Sequence, residues 1–383
     1  MKRIAWLLAL ALTMAACSKE KDLDPPAELV DFKVQLNPDR VWSSGTKGGD
    51  DVLRLGLRPA VADDRVYVAG HGGDIAALEL GSGRTLWRAK TDLDLSGGPA
   101  SGEGLVVAGT NAGQVIAVDA ANGTERWRVA VGGEVLAAPA IGAGLVVVRT
   151  VDGKLRAFHV ADGTEAWSYE QPVPRLSLRG NGAPIISGDM VLAGFDNGKV
   201  IALALATGDL LWAATVAPPH GKTELERLAD IDSAVWVLDK DVYVVSYQGR
   251  VAMLALDSGQ IWWGRDMSSY RGMVADADHL YVTTADSTIV ALRRRDGTEI
   301  WRQAQFHRRG LTAPALQGDT LVVADFDGYL HWLDAATGEI LGRAKPGGGR
   351  ISNAPVSAGE FLLVQGDSGE VQAYRAHRRA DAG

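Results

Sequence analysis

Short apolar runs recur along the chain, and most lead into a turn that contains glycine. The runs are rich in valine, leucine and tyrosine, which favour strands. Long amphipathic stretches of the helical kind do not separate them, so the pattern predicts an all-β protein. Eight copies can be recognised: Val66–Gly70, Leu105–Gly109, Leu145–Val148, Met190–Gly194, Val242–Val245, Leu280–Thr283, Leu321–Ala324 and Phe361–Val364.

A second pattern links a turn glycine to a tryptophan four residues later. Successive tryptophans of this pattern are 40, 40, 45, 51 and 38 residues apart, which is the period of a propeller blade. Each indole is expected to pack between neighbouring blades. A seventh turn, at Gly338, has Gly342 where tryptophan is expected. The six complete pairs are Gly83/Trp87, Gly123/Trp127, Gly163/Trp167, Gly208/Trp212, Gly259/Trp263 and Gly297/Trp301.

Every unit repeats one order of predicted strands: an inner strand that often begins at proline, two apolar strands, and an outer strand with the tryptophan. Eight sets of the first three strands are followed by only seven outer strands. The N-terminal segment Arg40–Trp42 is expected to supply the missing strand beside the last set, at Pro355–Tyr374. We therefore predict an all-β, eight-bladed β-propeller of four-stranded antiparallel blades, closed by its N-terminal strand so that no sheet edge is left open at the closure. A seven-bladed ring is the alternative.

Composition narrows the classes of function. Glycine supplies 46 of the 383 residues, against about 7% in ordinary proteins, as many tight turns require. The formal net charge of −8 argues against nucleic acid as a partner. A single cysteine excludes an intrachain disulfide and any multi-cysteine metal site. The histidines are scattered and no carboxylate pair stands out, so neither metal ligands nor catalytic residues are predicted.

The N-terminus predicts export. Lys2-Arg3 precedes the apolar run Ile4–Met14, which is too short to span a bilayer but suits a signal peptide. The lone cysteine, Cys17, follows two alanines, and the stretch Met14–Cys17 resembles the lipobox of bacterial lipoproteins. That resemblance implies cleavage before Cys17 and acylation of its thiol. By the same resemblance, Ser18 implies sorting to the outer membrane.

An ordinary secreted protein, cut after Ala16, is the alternative reading of this end. The predicted organisation is a signal peptide at residues 1–16, a lipidated N-terminus and tether at 17–38, the propeller at 39–377 and a C-terminal tail at 378–383. The tether is polar and contains Pro25, Pro26 and Pro38, although Leu29–Leu36 is apolar enough to pack locally.

The segment Ala117–Trp127 resembles the tryptophan-docking repeat of quinoprotein-type eight-bladed propellers. Two functional classes share that repeat: quinone-cofactor dehydrogenases, and non-enzymatic BamB-type lipoproteins of the machinery that assembles β-barrels in the outer membrane. The dehydrogenases are usually much longer and carry a disulfide of adjacent cysteines and calcium ligands. This chain has no cysteine after Cys17. Together with the lipobox, this favours the BamB type, and no cofactor is expected.

Two predicted connections between blades are longer than the others, Tyr169–Ala183 and Thr215–Asp232. Each joins an outer strand to the next inner strand, so both are expected on the same face and close together. Long loops on a rigid scaffold often carry function. Their segments Pro174–Gly180 and Glu226–Asp232 resemble loops of BamB-type lipoproteins.

That resemblance implies a set of partner-binding residues, at positions that contact the POTRA domains of BamA, the central protein of the machinery. Two leucines beside arginines suit an apolar anchor with a polar rim. The aspartates would pair with a basic residue of the partner or hold Arg179 in place. In the alternative, the leucines pack under their loop and the aspartates cap turns. The set is Leu176, Leu178, Arg179, Asp230 and Asp232, with Glu134 as a shorter match.

The resemblance thus implies a scaffold on the periplasmic face of the outer membrane, anchored there by lipid. It would bind the BamA POTRA domains and aid the folding and insertion of outer-membrane proteins, whose unfolded chains would be a further partner. The rival is a dehydrogenase of the pyrroloquinoline-quinone type, or a descendant with a small molecule in its central channel. A third reading is a propeller for another envelope partner or for glycans.

Overall fold

The eight apolar runs form the second strands of eight sheets. The computed structural model describes residues 24–46, 55–180 and 182–379, and the regular structure of these residues is entirely β-strand. Each sheet holds four antiparallel strands that follow one another in the chain, except at the closure. The sheets are arranged in a ring, which confirms the predicted all-β, eight-bladed propeller.

The blades are numbered in chain order, and their strands are given from the inner to the outer edge. The first four blades are Ala60–Ala62, Arg65–Ala69, Asp74–Glu79 and Thr85–Lys90; Leu95–Gly102, Leu105–Thr110, Gln114–Asp119 and Glu125–Ala130; Ala140–Gly142, Leu145–Arg149, Lys154–His159 and Glu165–Glu170; and Ile185–Ser187, Met190–Gly194, Lys199–Ala204 and Leu210–Thr215. Blade 2 also carries a short strand that sequence reasoning missed, Gly56–Leu57, paired in parallel with its inner strand.

The other four blades follow the same plan. They are Trp236–Leu238, Asp241–Val245, Arg250–Ala255 and Ile261–Asp266; Gly272–Ala275, His279–Thr283, Ile289–Arg293 and Glu299–Gln303; Ala315–Gln317, Thr320–Ala324, Leu330–Asp334 and Ile340–Ala344; and Val356–Ala358, Phe361–Gln365, Glu370–Arg378 and Leu36–Gly45.

The two ends of the chain meet in blade 8. Leu36–Gly45 pairs antiparallel with Glu370–Arg378, and Trp42 lies opposite Ala373. The N-terminal strand is therefore the outer strand of blade 8, as predicted. The pairing extends beyond residues 39–377 at both ends, because Leu36 lies opposite Arg378.

The core lies between the blades. Within the described residues, eight apolar clusters each combine side chains of two neighbouring blades. Between blades 4 and 5, for example, Leu192 and Val200 pack with Val242 and Leu254, all without exposed surface. The apolar area that each joint removes from water stabilises the ring.

The tryptophans join successive blades through one repeated contact. The indole Nε1 of Trp127 donates a hydrogen bond of 2.9 Å to the carbonyl oxygen of Val160 in the next blade. Its ring lies on Gly163, where φ is 72° and an added Cβ would lie 2.8 Å from the indole. Only glycine tolerates both that backbone and that contact. The same hydrogen bond joins Trp42 to Leu80, Trp87 to Ala120, Trp167 to Leu205, Trp212 to Leu256, Trp263 to Arg294 and Trp301 to Ala335.

At the joint between blades 7 and 8, the small residue stands on the outer strand and the large residue on the neighbouring blade. Gly342 stands at the tryptophan position, and blade 8 has no hairpin there because its outer strand comes from the N-terminus. Leu36, at the start of that strand, fills the space and is buried. A Cβ on Gly342 would lie 2.8 Å from the carbonyl oxygen of Leu36. The ring closure therefore explains why the seventh repeat lacks its indole.

Residues 24–35, which we call the strap, cross the outer edge of blade 7 before they enter blade 8. The N–H of Gln35 donates 2.9 Å to the carbonyl oxygen of Leu341, and Arg343 donates 3.2 Å to that of Val30. Val30 and Phe32 pack against the apolar cluster of blades 6 and 7. The local packing expected for Leu29–Leu36 is thus present in part of the predicted tether.

The predicted signal peptide, Cys17 and residues 380–383 of the predicted tail lie outside the described residues. Within the described ranges there is no helix long and apolar enough to cross a bilayer.

Candidate functional site

Three connections between blades approach one another on one face of the ring. They are residues 131–139, 171–184 and 216–235, which follow the outer strands of blades 2, 3 and 4; Asn181 is not described. Each leads from an outer strand to the next inner strand, as predicted for the two longer loops. The six predicted partner-binding residues all lie in these loops: Glu134, Leu176, Leu178, Arg179, Asp230 and Asp232.

An ion pair links the first two loops. The Arg179 guanidinium binds the Glu134 carboxylate, and both side chains remain partly exposed. Arg179 also has a φ of 55°, a left-handed conformation that costs energy in a residue other than glycine. The sequence had offered Asp230 or Asp232 as its partner within the chain, but the structure pairs Arg179 with Glu134.

The two predicted leucines stand on the surface. Leu176 is 39% exposed and Leu178 is 40% exposed, so they do not pack under their loop. Val173 in the same loop and Leu225 in the next are also exposed large apolar residues. Exposed apolar groups close together mark interaction surfaces more often than single ones do. Leu225 also borders an open groove of about 420 Å³, together with His220 and Gln248.

The two predicted aspartates lie beneath this surface. Asp230 is fully buried, and its carboxylate accepts a hydrogen bond from the backbone N–H of Leu178. The bond ties the 171–184 loop to the 216–235 loop, so Asp230 positions Leu178 and does not cap a turn of its own. Asp232 is also buried. A Cβ on Gly180 would lie 1.6 Å from Oδ1 of Asp232, so the 171–184 loop can rest on the 216–235 loop only with glycine at 180.

A third buried carboxylate, Asp196 of blade 4, completes an acidic cluster. One carboxylate oxygen from each of Asp196, Asp230 and Asp232 lies within 4.8 Å of the others. Arg149 of blade 3 enters the same space, where Nη2 lies 2.6 Å from Oδ1 of Asp196 and Nη1 donates 3.2 Å to the carbonyl oxygen of Gly182. The Arg149 guanidinium supplies the positive charge that three buried carboxylates would otherwise need from a bound metal ion.

Burial changes the acidity of this cluster. It raises the pKa of Asp230 to about 6, although the hydrogen bond from Leu178 acts in the opposite direction. Burial also raises the pKa of Asp232 well above its ordinary value, and the nearby charge of Asp230 adds to the effect. A carboxyl group away from water resists ionisation because its charge is poorly solvated. The base of the loops therefore favours protonated aspartate at mildly acidic pH.

Sequence reasoning missed Arg149 and Asp196. Arg149 directly follows the predicted apolar strand Leu145–Val148, and Asp196 precedes Asn197-Gly198, where it looks like an ordinary hairpin residue. The one available signal is that none of the other seven second strands ends in arginine.

Comparison with known proteins gives one family. The family model described as outer membrane protein assembly factor BamB matches residues 34–94, 71–303 and 285–380. The chain is 47% identical to the protein of that name from Pseudomonas aeruginosa over 372 residues, 97% of this chain and 98% of the relative. It is 46% identical to the one from Alkalilimnicola ehrlichii over 374 residues, 98% of this chain and 97% of that relative.

Solved structures agree on the architecture. BamB from Moraxella catarrhalis superposes with a TM-score of 0.81 at 28% identity, over 88% of this chain and 100% of that one. A quinohemoprotein alcohol dehydrogenase from Comamonas testosteroni superposes with a TM-score of 0.72 at 15% identity, over 90% of this chain and 78% of the dehydrogenase, which shows a shared fold alone. The chain therefore belongs to the family of the outer membrane protein assembly factor BamB.

Proposed function

We propose that this chain is a non-enzymatic scaffold of the machinery that assembles β-barrels in the outer membrane, and that its loop face binds the POTRA domains of BamA. The observation that carries the proposal is the juxtaposition of three loops from consecutive blades, which places an exposed pair of leucines beside the Arg179–Glu134 ion pair. Family membership supplies the biological setting, because the relatives are named as assembly factors.

Within this proposal the six residues act in two ways. Leu176 and Leu178 form the apolar anchor, and Arg179 with Glu134 forms its polar rim, an arrangement that suits a small protein interface. Asp230 and Asp232 lie below: Asp230 ties two of the loops together through its hydrogen bond, and Asp232 packs against Gly180. We infer that the aspartates support the surface and do not meet the partner directly.

The dehydrogenase reading has no specific observation in its favour. Its supporting likeness is to dehydrogenase structures that share 13–15% of their sequence with this chain. A shared fold does not by itself imply a shared reaction. We therefore propose a scaffold that needs no cofactor.

Binding to purified POTRA domains of BamA tests the loop face. We expect the double substitution Leu178→Ala/Arg179→Ala to weaken the affinity at least tenfold, because it removes an apolar anchor together with its charged neighbour. The control Leu86→Ala/Arg84→Ala removes the same residue types from the exposed outer edge of blade 1 and should bind like the wild type. Unchanged affinity of a folded loop variant, or an equal loss in the control, would contradict the site.

The anchor is tested by fractionating cells that produce the full chain. We propose that acylated Cys17 holds the protein on the periplasmic face of the outer membrane, since two or more acyl chains bind a bilayer firmly. Cys17→Ser should remove the protein from the outer-membrane fraction, because it prevents both the acylation and the cleavage that the lipobox implies. Retention of that variant in the outer-membrane fraction would count against lipid anchoring.

A further inference from the structure

The outer strand of every blade contains one extra residue directly before the docking position. The register with its neighbour skips that residue, as in a β-bulge. Bulges turn a side chain away from the regular alternation. The bulge residues, from blade 1 to blade 8, are Leu86, Arg126, Ala166, Leu211, Trp262, Ile300, Leu341 and Val41.

In blade 7 the strap covers this position. Ile340 and Leu341 are 6% and 2% exposed, and the carbonyl oxygen of Leu341 accepts the N–H of Gln35. The corresponding residues of blade 4, Leu210 and Leu211, are 50% and 51% exposed. The same two apolar positions are therefore buried in blade 7, where the strap and the neighbouring blades pack against them, and open to solvent in blade 4.

Blade 5 resembles blade 4 in this respect. Its bulge residue, Trp262, is 60% exposed, which is unusual for the largest apolar side chain. The outer strand of blade 4, Leu210–Thr215, carries no charged residue. Natural sheets usually protect an edge strand with charge or proline, because an uncharged edge invites another strand. The outer strand of blade 5, Ile261–Asp266, ends in the charged pair Arg265-Asp266. Blade 4 therefore has the unprotected edge, and the neighbouring blade 5 adds the exposed Trp262.

The strap identifies the kind of segment that such an edge accepts. Its residues from Val30 onward, with Leu36 at the start of the blade 8 strand, read VDFKVQL, which alternates apolar and polar residues at every step. Of the apolar residues in this segment, Val34 is 41% exposed. Val30 and Phe32 pack on the blade 6 and 7 cluster, and Leu36 is buried. Strict alternation over about ten residues is also the signature of strands in membrane β-barrels, which face lipid on one side.

We propose that the outer edge of blade 4, together with Trp262 of blade 5, is an open copy of the strap seat, and that it binds extended segments of unfolded barrel proteins with alternating apolar and polar residues. The segment lies along the edge as the strap does in blade 7, with apolar side chains on Leu210, Leu211 and Trp262. An extended segment on such an edge gains affinity from backbone hydrogen bonds, like the one from Gln35 to Leu341, and specificity from alternate side chains. The identity of the bound chains rests on the proposed function; the seat itself rests on the comparison of blades.

The test uses a labelled peptide with the strap sequence of residues 28–37, ELVDFKVQLN, titrated with the mature full chain and followed by fluorescence anisotropy. We expect saturable binding, and no binding of a peptide with the same composition in which the apolar residues are contiguous. Leu211→Ser/Trp262→Ser should weaken binding about tenfold. The matched variant Val41→Ser/Leu86→Ser changes the bulge residues of blades 8 and 1, where Arg40 and Thr85 precede them, and should bind like the wild type.

Absence of binding, equal binding of the rearranged peptide, or indifference to Leu211→Ser/Trp262→Ser would overturn the proposal. So would a wild-type dimer that this double variant converts to a monomer, because a second copy would then be the occupant. The same variants are titrated with POTRA domains. If the double variant keeps POTRA binding but loses peptide binding, two separate sites are supported. If the wild-type chain binds the peptide but not POTRA domains, the seat is supported and the proposed function is contradicted.

Discussion

At the joint between blades 2 and 3, Trp127 lies on Gly163 within a cluster of almost fully buried apolar side chains. On the loop face, buried carboxylates instead meet one another around Arg149. The joint recurs around the ring, while a cluster of three buried carboxylates occurs once in the described part of the chain. The repeated contact holds the ring together. The carboxylate cluster stabilises the fold less than apolar side chains of similar volume would, and it lies directly below the exposed leucines.

Removal of an indole is expected to have the largest effect on stability. Trp127→Ala should lower the free energy of unfolding by about 3–5 kcal/mol, because it deletes a large buried side chain and leaves a cavity beside Gly163. Denaturant unfolding measures the change. The folded fraction of this variant should still bind POTRA domains. A loss below about 1 kcal/mol would show that the joints do not depend on the tryptophans.

The buried cluster is tested by removing its cation. Arg149→Met keeps much of the volume but leaves Asp196, Asp230 and Asp232 uncompensated, and breaking a buried ion pair costs about 3–5 kcal/mol. We expect a smaller net loss of about 3 kcal/mol, since the aspartates can take up protons. Adding Asp196→Asn should restore part of the stability. If the double variant is no more stable than Arg149→Met, the account of the cluster is wrong.

Protonation of the cluster gives a pH dependence. The pKa of Asp230 is raised to about 6, so the native state binds its proton more tightly than the unfolded chain does. Its contribution to stability is therefore full below the ordinary carboxyl range and is lost as pH rises through 6. Asp230→Asn keeps an acceptor for the Leu178 N–H and should be about 1–3 kcal/mol more stable than wild type at pH 7.5.

The difference between Asp230→Asn and wild type should shrink as pH falls from 7.5 to 5, which thermal unfolding at several pH values measures. The matched control Asp239→Asn changes an exposed aspartate and should show no such convergence. A gap that widens towards pH 5 would contradict the raised pKa.

The smallest effect on stability is expected at the surface. Glu134→Gln breaks the ion pair with Arg179, and partly exposed pairs contribute about 0.5 kcal/mol or less. Its free energy of unfolding should match the wild type, while its affinity for POTRA domains falls and becomes less sensitive to salt. A large loss of stability would show that Glu134 belongs to the scaffold and not to the proposed surface.

The sequence predicted the repeated part of this molecule far better than the unrepeated part. Glycine and tryptophan at a fixed spacing predict a blade, because only glycine allows the turn and the indole contact together, and the count of strands predicted the closure at Trp42. The sequence did not predict that Leu36 fills the space left by Gly342, because the two residues meet only when the ring closes.

The position of the loops on one face was predicted, but the burial of their aspartates was not. The spacing placed the two longer loops on one face, and the resemblance supplied the residues. Neither could reveal which loop rests on the other, so the burial of Asp230 and Asp232 and the pairing of Arg179 with Glu134 required the structure. Asp196 occupies an ordinary turn position, and its direction depends on the neighbouring blade.

Site-specific crosslinking in intact cells tests the central claim most directly. A photoreactive residue is placed at Leu178 on the loop face, and in a second strain at Leu86 on the outer edge of blade 1. The account predicts a crosslink to BamA from position 178 and none from position 86. A BamA crosslink from position 86 together with none from position 178 would contradict the assignment of the loop face.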